Sequence, residues 1–407
     1  MVIITGRLEL IRGGMILKRL WIVLTLLFIF VPSAAAANKL EIYNQAAEAQ
    51  QSVQIYWKLS GLGKLSGDMV LAPNRTLILP LGSKIVCVDL QGKVLWESKA
   101  SSSGKTGQPL IAGEDSIYTA GASSIQEIKL NGTNAWSFSI YSAAKGAKTP
   151  LLASGSDNLL YLPLPNGLYA VNVSGRYVWM LSPWDSSENH ATKLNTDREF
   201  VTCVADKQAF YIVYGEKKDY RLSAISKQGE FLWTFGLGDV TSTGLLPGED
   251  GQIFVAVNYE KSSSGKQSSS LKPGRIYSFR NGNENSPEWK YSFKTDGDLS
   301  APVGYKDHIL YLTGGDTLYA FNTDTRSIIW RESLLNLVSL PVIDPQTGHI
   351  YAGSSDGELF AVDQAGRLVW ERTMDGSIDQ APVVGADGFL YVSTQKGSLY
   401  KIKDNVK

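Results

Sequence analysis

The chain has 407 residues, 43% of them hydrophobic, and its 39 Lys plus Arg are balanced by 39 Asp plus Glu. With no net charge and no basic block, it lacks the positive surface that nucleic-acid binding uses to displace counterions, so a nucleic-acid partner is not expected. Its 39 glycines suit a turn-dense, all-β protein.

In chain order, the first segment is MVIITGRLELIRGG, followed by Met15, Lys18, Arg19, the apolar run from Leu20 to Val31 and the small residues Ser33 to Ala37. A basic stretch, an apolar core and an A-x-A pattern predict a secretory signal peptide over 1–37, with Met15 the better start because the basic residues follow it directly. The apolar run is too short for a comfortable membrane span. No cysteine follows the cleavage site, so a lipoprotein-type anchor is not expected. The mature chain is expected to be exported, to the extracellular space or cell envelope (the periplasm if the source has an outer membrane), with no stable membrane span. Residues 38–49 read as a lead-in.

From there to the C-terminus one pattern recurs. The stretch Pro341 to Trp370, PVIDPQTGHIYAGSSDGELFAVDQAGRLVW, alternates short β-branched and aromatic runs with Gly, Asp and Ser turns, which reads as four antiparallel strands. Copies precede Trp96, Trp179 and Trp330. The tryptophans at 57, 96, 136, 179, 233, 289, 330 and 370 share one register, spaced 39, 40, 43, 54, 56, 41 and 40 apart. A four-stranded repeat of this period is that of a β-propeller blade. Five of these tryptophans follow a turn glycine by four residues (Gly92, Gly132, Gly175, Gly229, Gly366), which places the indole across a neighbouring sheet. Length alone would suggest two or more domains, but the units run into one another without a linker.

After Trp370 only three strands remain, to Lys403, and the missing fourth lies in QSVQIYWKLSG around Trp57. Pairing the two chain ends avoids open sheet edges. Eight blades follow: 69–107, 108–149, 150–196, 197–241, 242–299, 300–339, 340–379, and 380–404 with 50–62, a single domain over 50–407. Second strands carry an aromatic (Tyr118, Tyr161, Tyr211, Phe254, Tyr311, Tyr351, Tyr391). Third strands repeat an apolar-aromatic-small-apolar phrase that buries both faces.

Deviations from the repeat cluster in three consecutive blades. The link between Leu181 and Phe200 is long and polar and holds Trp184, Asp185, His190, Lys193 and Arg198. Blade 4 inserts Gly215 to Tyr220 and blade 5 inserts Tyr259 to Gly274. Turns between second and third strands, and links from fourth to first, emerge on one face, so a candidate interaction rim carries Trp184, Tyr220 and Tyr259.

Cys87 fills the small slot of Ala170, Ala224, Ala320 and Ala361, and Cys203 lies three blades away, so the two are not expected to pair. Asp115, Asp157, Asp250, Asp307 and Asp387 recur at first-hairpin turns, where Asp caps the local backbone. His190, His308 and His349 have no zinc-site spacing. Asn74, Asn131 and Asn172 head N-x-S/T triplets and read as turn residues.

The phrase D-G-x-L-[YF]-A-x-D-x-x-G-x-x-x-W, complete from Asp356 to Trp370 and partial from Asp316 to Trp330, resembles the pyrroloquinoline-quinone-type propeller repeat, and the resemblance covers roughly 50–404. It implies one of two groups. Quinoprotein alcohol dehydrogenases commonly carry an adjacent Cys-Cys pair and funnel carboxylates for calcium, and this chain shows neither signature. The other group is the non-enzymatic envelope propellers similar to the lipoprotein that assists outer-membrane β-barrel assembly. The expectation is therefore a non-catalytic, monomeric scaffold for an unknown protein partner, with no cofactor, metal or catalytic residue. The alternative is an oxidoreductase using pyrroloquinoline quinone and calcium, or a small-ligand binder, in the central channel.

Overall fold

The phrase Glu358–Val362 forms the third strand of an antiparallel sheet. Ile350–Gly353 and Leu368–Thr373 flank it, and Val342–Ile343 lies beyond Ile350–Gly353. Its small residue Ala361 pairs with Tyr351 on one side and Trp370 on the other. The same row crosses the other blades: Tyr161–Ala170–Trp179, Tyr211–Ala224–Trp233, Tyr311–Ala320–Trp330. In each of these blades a small side chain lies between the two rings. Cys87 takes that place in the row Ile78–Cys87–Trp96.

The computed structural model describes residues 38–43, 52–99, 110–111, 115–120, 124–139, 151–155, 157–164, 167–181, 199–216, 218–249, 251–259, 272–281, 286–295 and 297–406. The expected signal peptide and Met15 lie outside them. The protein is an eight-bladed β-propeller of four-stranded antiparallel blades. Blades 1 to 7 span 70–99, 110–139, 153–181, 199–238, 240–295, 303–333 and 342–373. Blade 8 combines 383–404 with Val53–Ser60, whose Ile55 pairs with Ile402 and Leu59 with Leu399. The first strands of blades 3, 4 and 5, and those of blades 6, 7 and 8, lie against one another along the centre. Blade 8 also carries a strand that the sequence did not signal. Lys39–Ile42 pairs antiparallel with Val53–Ser60, Leu40 opposite Leu59, and makes this sheet five-stranded.

A propeller buries its apolar surface between blades. Among the described residues the core falls into eight clusters, one for each pair of neighbouring blades. Leu168 and Ala170 face blade 4 while Val171 faces blade 2, so one strand serves two clusters. Cys203 packs against the cluster of blades 3 and 4, where burial pushes its thiol up to about 12. Burial also raises Cys87, and both cysteines are free.

All eight repeat tryptophans lie on the fourth strands of their blades, and most of their indoles bond the neighbouring blade. The Nε1–H groups of Trp57, Trp96, Trp136, Trp179 and Trp330 donate to backbone carbonyls in the third-to-fourth-strand turn of the next blade: Leu90 (3.1 Å), Leu130 (2.8 Å), Val173 (3.1 Å), Lys227 (2.8 Å) and Gln364 (2.8 Å). Trp233 donates instead to Asn281 Oδ1 at 2.9 Å. The turn glycine lets that turn come so close. A Cβ on Gly366 would stand 2.7 Å from the Trp330 ring, and one on Gly175 2.6 Å from Trp136, while φ at these positions is 82° and 76°.

Candidate interaction rim

Because the strands of each blade alternate in direction, the face that carries the turns between second and third strands also carries the links from one blade to the next. On this upper face blades 4 and 5 depart from the others. The inserted segment of blade 4 is largely strand rather than loop. It lengthens a hairpin: Ala209–Glu216 and Asp219–Ser226 stay paired up to Glu216 opposite Asp219, with Gly215 opposite Tyr220. Lys218 closes the turn with φ 80°. In blade 5 the pairing runs to Asn258 opposite Gly274, so Lys272 to Gly274 belong to the third strand. Trp184, with Asp185, His190, Lys193 and Arg198, lies outside the described residues, as do residues 260–271.

Tyr220 owes its position to two glycines. Gly215 and Gly238 are its cross-strand neighbours, and a Cβ at Gly215 would stand 2.7 Å from Tyr220 Cδ1, so the ring lies over bare backbone. Tyr259 ends its strand opposite Val240. One residue earlier, the buried Asn258 holds the link to blade 6, its Nδ2 donating to the Leu299 carbonyl and its Oδ1 accepting from the Leu299 amide, both at 2.8 Å. Both tyrosines are half-buried and pack on the single cluster between blades 4 and 5, together with Phe235 and Leu237. The structure thus brings Tyr220 and Tyr259 onto one seam.

Sequence reasoning missed Arg275. Its guanidinium lies over the Tyr259 ring, 4.8 Å from the centroid, and donates to the Tyr277 hydroxyl at 3.3 Å. The Tyr259 and Tyr277 hydroxyls are 3.0 Å apart. Burial, then the contact with Tyr277, raises Tyr259, and the Tyr277 hydrogen bond raises Arg275. The seam therefore sets phenol rings around a fixed cation, groups that lose little freedom on docking. The exposed pairs Lys218–Asp239 (3.1 Å) and Arg221–Asp219 (3.3 Å) edge the hairpin tip and are worth little to stability. Further round the same face, the link after blade 6 exposes Leu335 at 74% and Val338 at 49%. Only their apolar character could have flagged them, and a buried core strand reads the same way.

The recurrent turn aspartates tie into the fold. Asp157 and Asp387 accept from the hydroxyls of Tyr161 and Tyr391, both at 2.8 Å, and Asp206 accepts from Tyr211 at 3.3 Å. Asn131 and Asn172 cap their turns by accepting from the amides of Thr133 and Ser174, both at 3.0 Å, and Asn74 accepts from the Thr76 hydroxyl at 2.7 Å. His349 is buried against Asp404 at 2.7 Å, and His308 pairs with Asp324 at 3.2 Å. Among the described residues no three His, Cys, Asp or Glu side chains come together as a metal site, and no helix is long and apolar enough to cross a membrane.

The family model of the outer membrane protein assembly factor BamB matches residues 44–217 and 218–405. No curated protein matches the chain. Among solved structures, BamB from Moraxella catarrhalis is 15% identical and aligns over 86% of this chain and 99% of its own, with a TM-score of 0.58. The Dos1 propeller is 13% identical, covering 87% and 96%, with a TM-score of 0.66. The computationally designed Ika8 protein is 12% identical, covering 85% and 99%, with a TM-score of 0.56. Identities this low carry the fold.

Proposed function

The chain belongs to the family of the outer membrane protein assembly factor BamB, and we propose from that premise that it is an exported, non-catalytic scaffold that holds a protein partner on the upper rim of blades 4 and 5. One observation carries the reading: Tyr220, Tyr259 and Arg275 converge on a single inter-blade seam beneath a hairpin that extends to Glu216 and Asp219. Aromatic and Arg side chains on a rigid support are what interface centres are made of. The turn aspartates support it too, because the hydroxyls and amides they hold are parts of the fold.

Capture of partners from culture supernatant and cell envelope by the purified mature chain tests this. The same partner is expected to be recovered by the wild type and lost from a Tyr220→Ser, Arg275→Glu double variant, and weakened by Trp184→Ala or by excision of residues 261–271. Equal recovery with all three variants removes this face from consideration. No cofactor enters the reading, so incubation with pyrroloquinoline quinone and calcium is expected to leave no bound chromophore.

A further inference from the structure

On the lower face, which carries the turns between first and second and between third and fourth strands, the tryptophan-to-turn bond changes at three seams: Trp233 uses the Asn281 side chain, Trp370 meets the chain ends, and the third lies where blade 5 meets blade 6. Trp289 should there donate to the third-to-fourth-strand turn of blade 6, as Trp330 does to that of blade 7. Among the described residues its Nε1 has no hydrogen-bond partner, although its ring packs on Phe254 and Phe321.

The cause lies in the turn. Ten positions separate the small residue Ala320 from Trp330, against nine between Ala361 and Trp370. Four residues before Trp330, where five other blades have glycine, stands Arg326, with φ 54°. A Cβ at that place in blades 2, 3, 4 and 7 would come within 2.6–2.9 Å of the preceding indole, and one in blade 1 within 3.2 Å, so a turn carrying Arg326 cannot settle as closely on Trp289. Like turns in other blades it is capped by the last residue of its third strand, Asn322 Oδ1 accepting from the amides of Asp324 (3.0 Å) and Thr325 (2.7 Å).

Between the indole and the displaced turn lies a cleft of about 490 Å³, within the roughly 300–1,000 Å³ of small-molecule sites. Gln252, Arg280 and Glu288 form one wall: Arg280 Nε donates to Glu288 Oε1 at 2.8 Å and Gln252 Nε2 to Glu288 Oε2 at 3.2 Å. His308, Asp324 and Arg326 form the other, with Glu249 at the rim. Two guanidinium groups face three carboxylates, which leaves no strong field of one sign to select an anion or a metal cation. The lining is too polar for an apolar ligand. It offers donors (Trp289 Nε1, Arg326) and an acceptor (Glu249) that have no side-chain hydrogen-bond partner among the described residues. A hydroxyl is donor and acceptor at once, so groups of both kinds in one cleft suit a polyol.

We propose that the cleft between blades 5 and 6 is a binding site for a neutral saccharide, with Trp289 and Arg326 donating to its hydroxyls and Glu249 accepting from them. It lies on the face opposite the Tyr220–Tyr259 rim, so the two readings stand or fall separately.

The test is titration of the full chain with glucose, N-acetylglucosamine and their β-1,4-linked disaccharides, followed by calorimetry and saturation-transfer NMR. At least one is expected to bind with a millimolar or tighter Kd. Trp289→Phe, which keeps an aromatic ring but removes the N–H, and Arg326→Gly, which restores the glycine and lets the turn close on the indole, are each expected to weaken it by about tenfold. Glu249→Gln, on the exposed rim, is expected to weaken it less and serves as the fold-neutral check. The proposal is overturned if none of these sugars binds at about 20 mM, if all three variants bind like the wild type, or if inorganic phosphate binds more tightly than every sugar.

Discussion

Blades 7 and 8 have the same strand order, yet blade 7 is one continuous stretch of chain and blade 8 is sewn from two ends. In blade 7 the turn at Asp363–Gly366 joins the third and fourth strands and hands the Gln364 carbonyl to Trp330. Blade 8 has no such turn, because its third strand ends at Asp404 and its fourth begins at Val53. Trp370, which should reach that turn, keeps a buried Nε1 without a partner. Polar side chains stand in for the missing connection. Lys58 Nζ meets Asp375 at 2.9 Å, Lys401 Nζ bridges Asp387 (2.9 Å) and the Leu90 carbonyl of blade 1 (3.1 Å), and Asp404 takes both His349 (2.7 Å) and the Tyr351 hydroxyl (2.9 Å). Cohesion that a covalent turn supplies elsewhere depends here on charge, and that makes the closing blade the one most sensitive to single substitutions and to acid.

The sharpest break targets Lys401. It stands in the slot that Ala361 fills in blade 7, yet Lys401→Ala is expected to cost about 2–4 kcal/mol, because it leaves the Asp387 carboxylate without its cation. Urea unfolding of the single variant and of Lys401→Ala with Asp387→Asn checks this. The second substitution should return a large part of the loss, and an additive double variant would show that the lysine acts by packing alone.

Acid should find the same seam. Burial pushes Asp375 up, but hydrogen bonds from Ser398, Lys58 and Thr394 outweigh it and hold the carboxyl below its ordinary range. Lys401 and Tyr391 do the same for Asp387. A depressed folded value means that the stabilisation is complete above the unfolded pKa of about 3.9 and is lost as pH falls below it. Wild-type urea midpoints should therefore drop between about pH 5 and pH 2.5. Asp375→Asn should lower stability by about 1–2 kcal/mol at neutral pH and flatten that dependence. An unchanged slope would place the acid-sensitive groups elsewhere.

A smaller difference separates two tryptophans. Trp330→Phe forfeits a 2.8 Å hydrogen bond and should cost about 1 kcal/mol. Trp370→Phe removes a buried donor that has no acceptor and should be neutral within about 0.5 kcal/mol. Thermal midpoints measured side by side decide it, and equal losses would mean that ring packing, not the indole N–H, fastens the blades.

The repeat, the eight blades and their closure were legible because the signal is written many times over: a wrong guess about one turn is corrected by its copies. What appears once was not legible. Lys401 and Glu127 sit in a slot that elsewhere holds small residues, and nothing local distinguishes a buried, paired charge from a solvated one. Arg275 gave no sign, because its contact with Tyr259 crosses between strands whose connection holds no repeat. Arg326 was visible as a missing glycine, yet its consequence for Trp289 belongs to a different blade and needs the 2.6–2.9 Å approach at four other seams to be understood.

The strand Lys39–Ile42 is the last such feature, and it carries the smallest expected effect. It pairs with the outer edge of blade 8, an edge that blade 7 leaves uncovered. Of its two apolar side chains, Leu40 is half-buried against Trp57 and blade 1, where a Cβ on Gly92 would stand 2.7 Å from its Cδ1, while Ile42 is 57% exposed. Leu40→Ala should therefore cost about 0.5–1 kcal/mol and Ile42→Ala almost nothing. Hydrogen exchange at the amides of Val53–Ser60 reads the same contact. Leu40→Ala should speed exchange there while leaving the outer strand of blade 7, Leu368–Thr373, unchanged. If Ile42→Ala speeds it as much, backbone pairing rather than the Leu40 contact holds the strand.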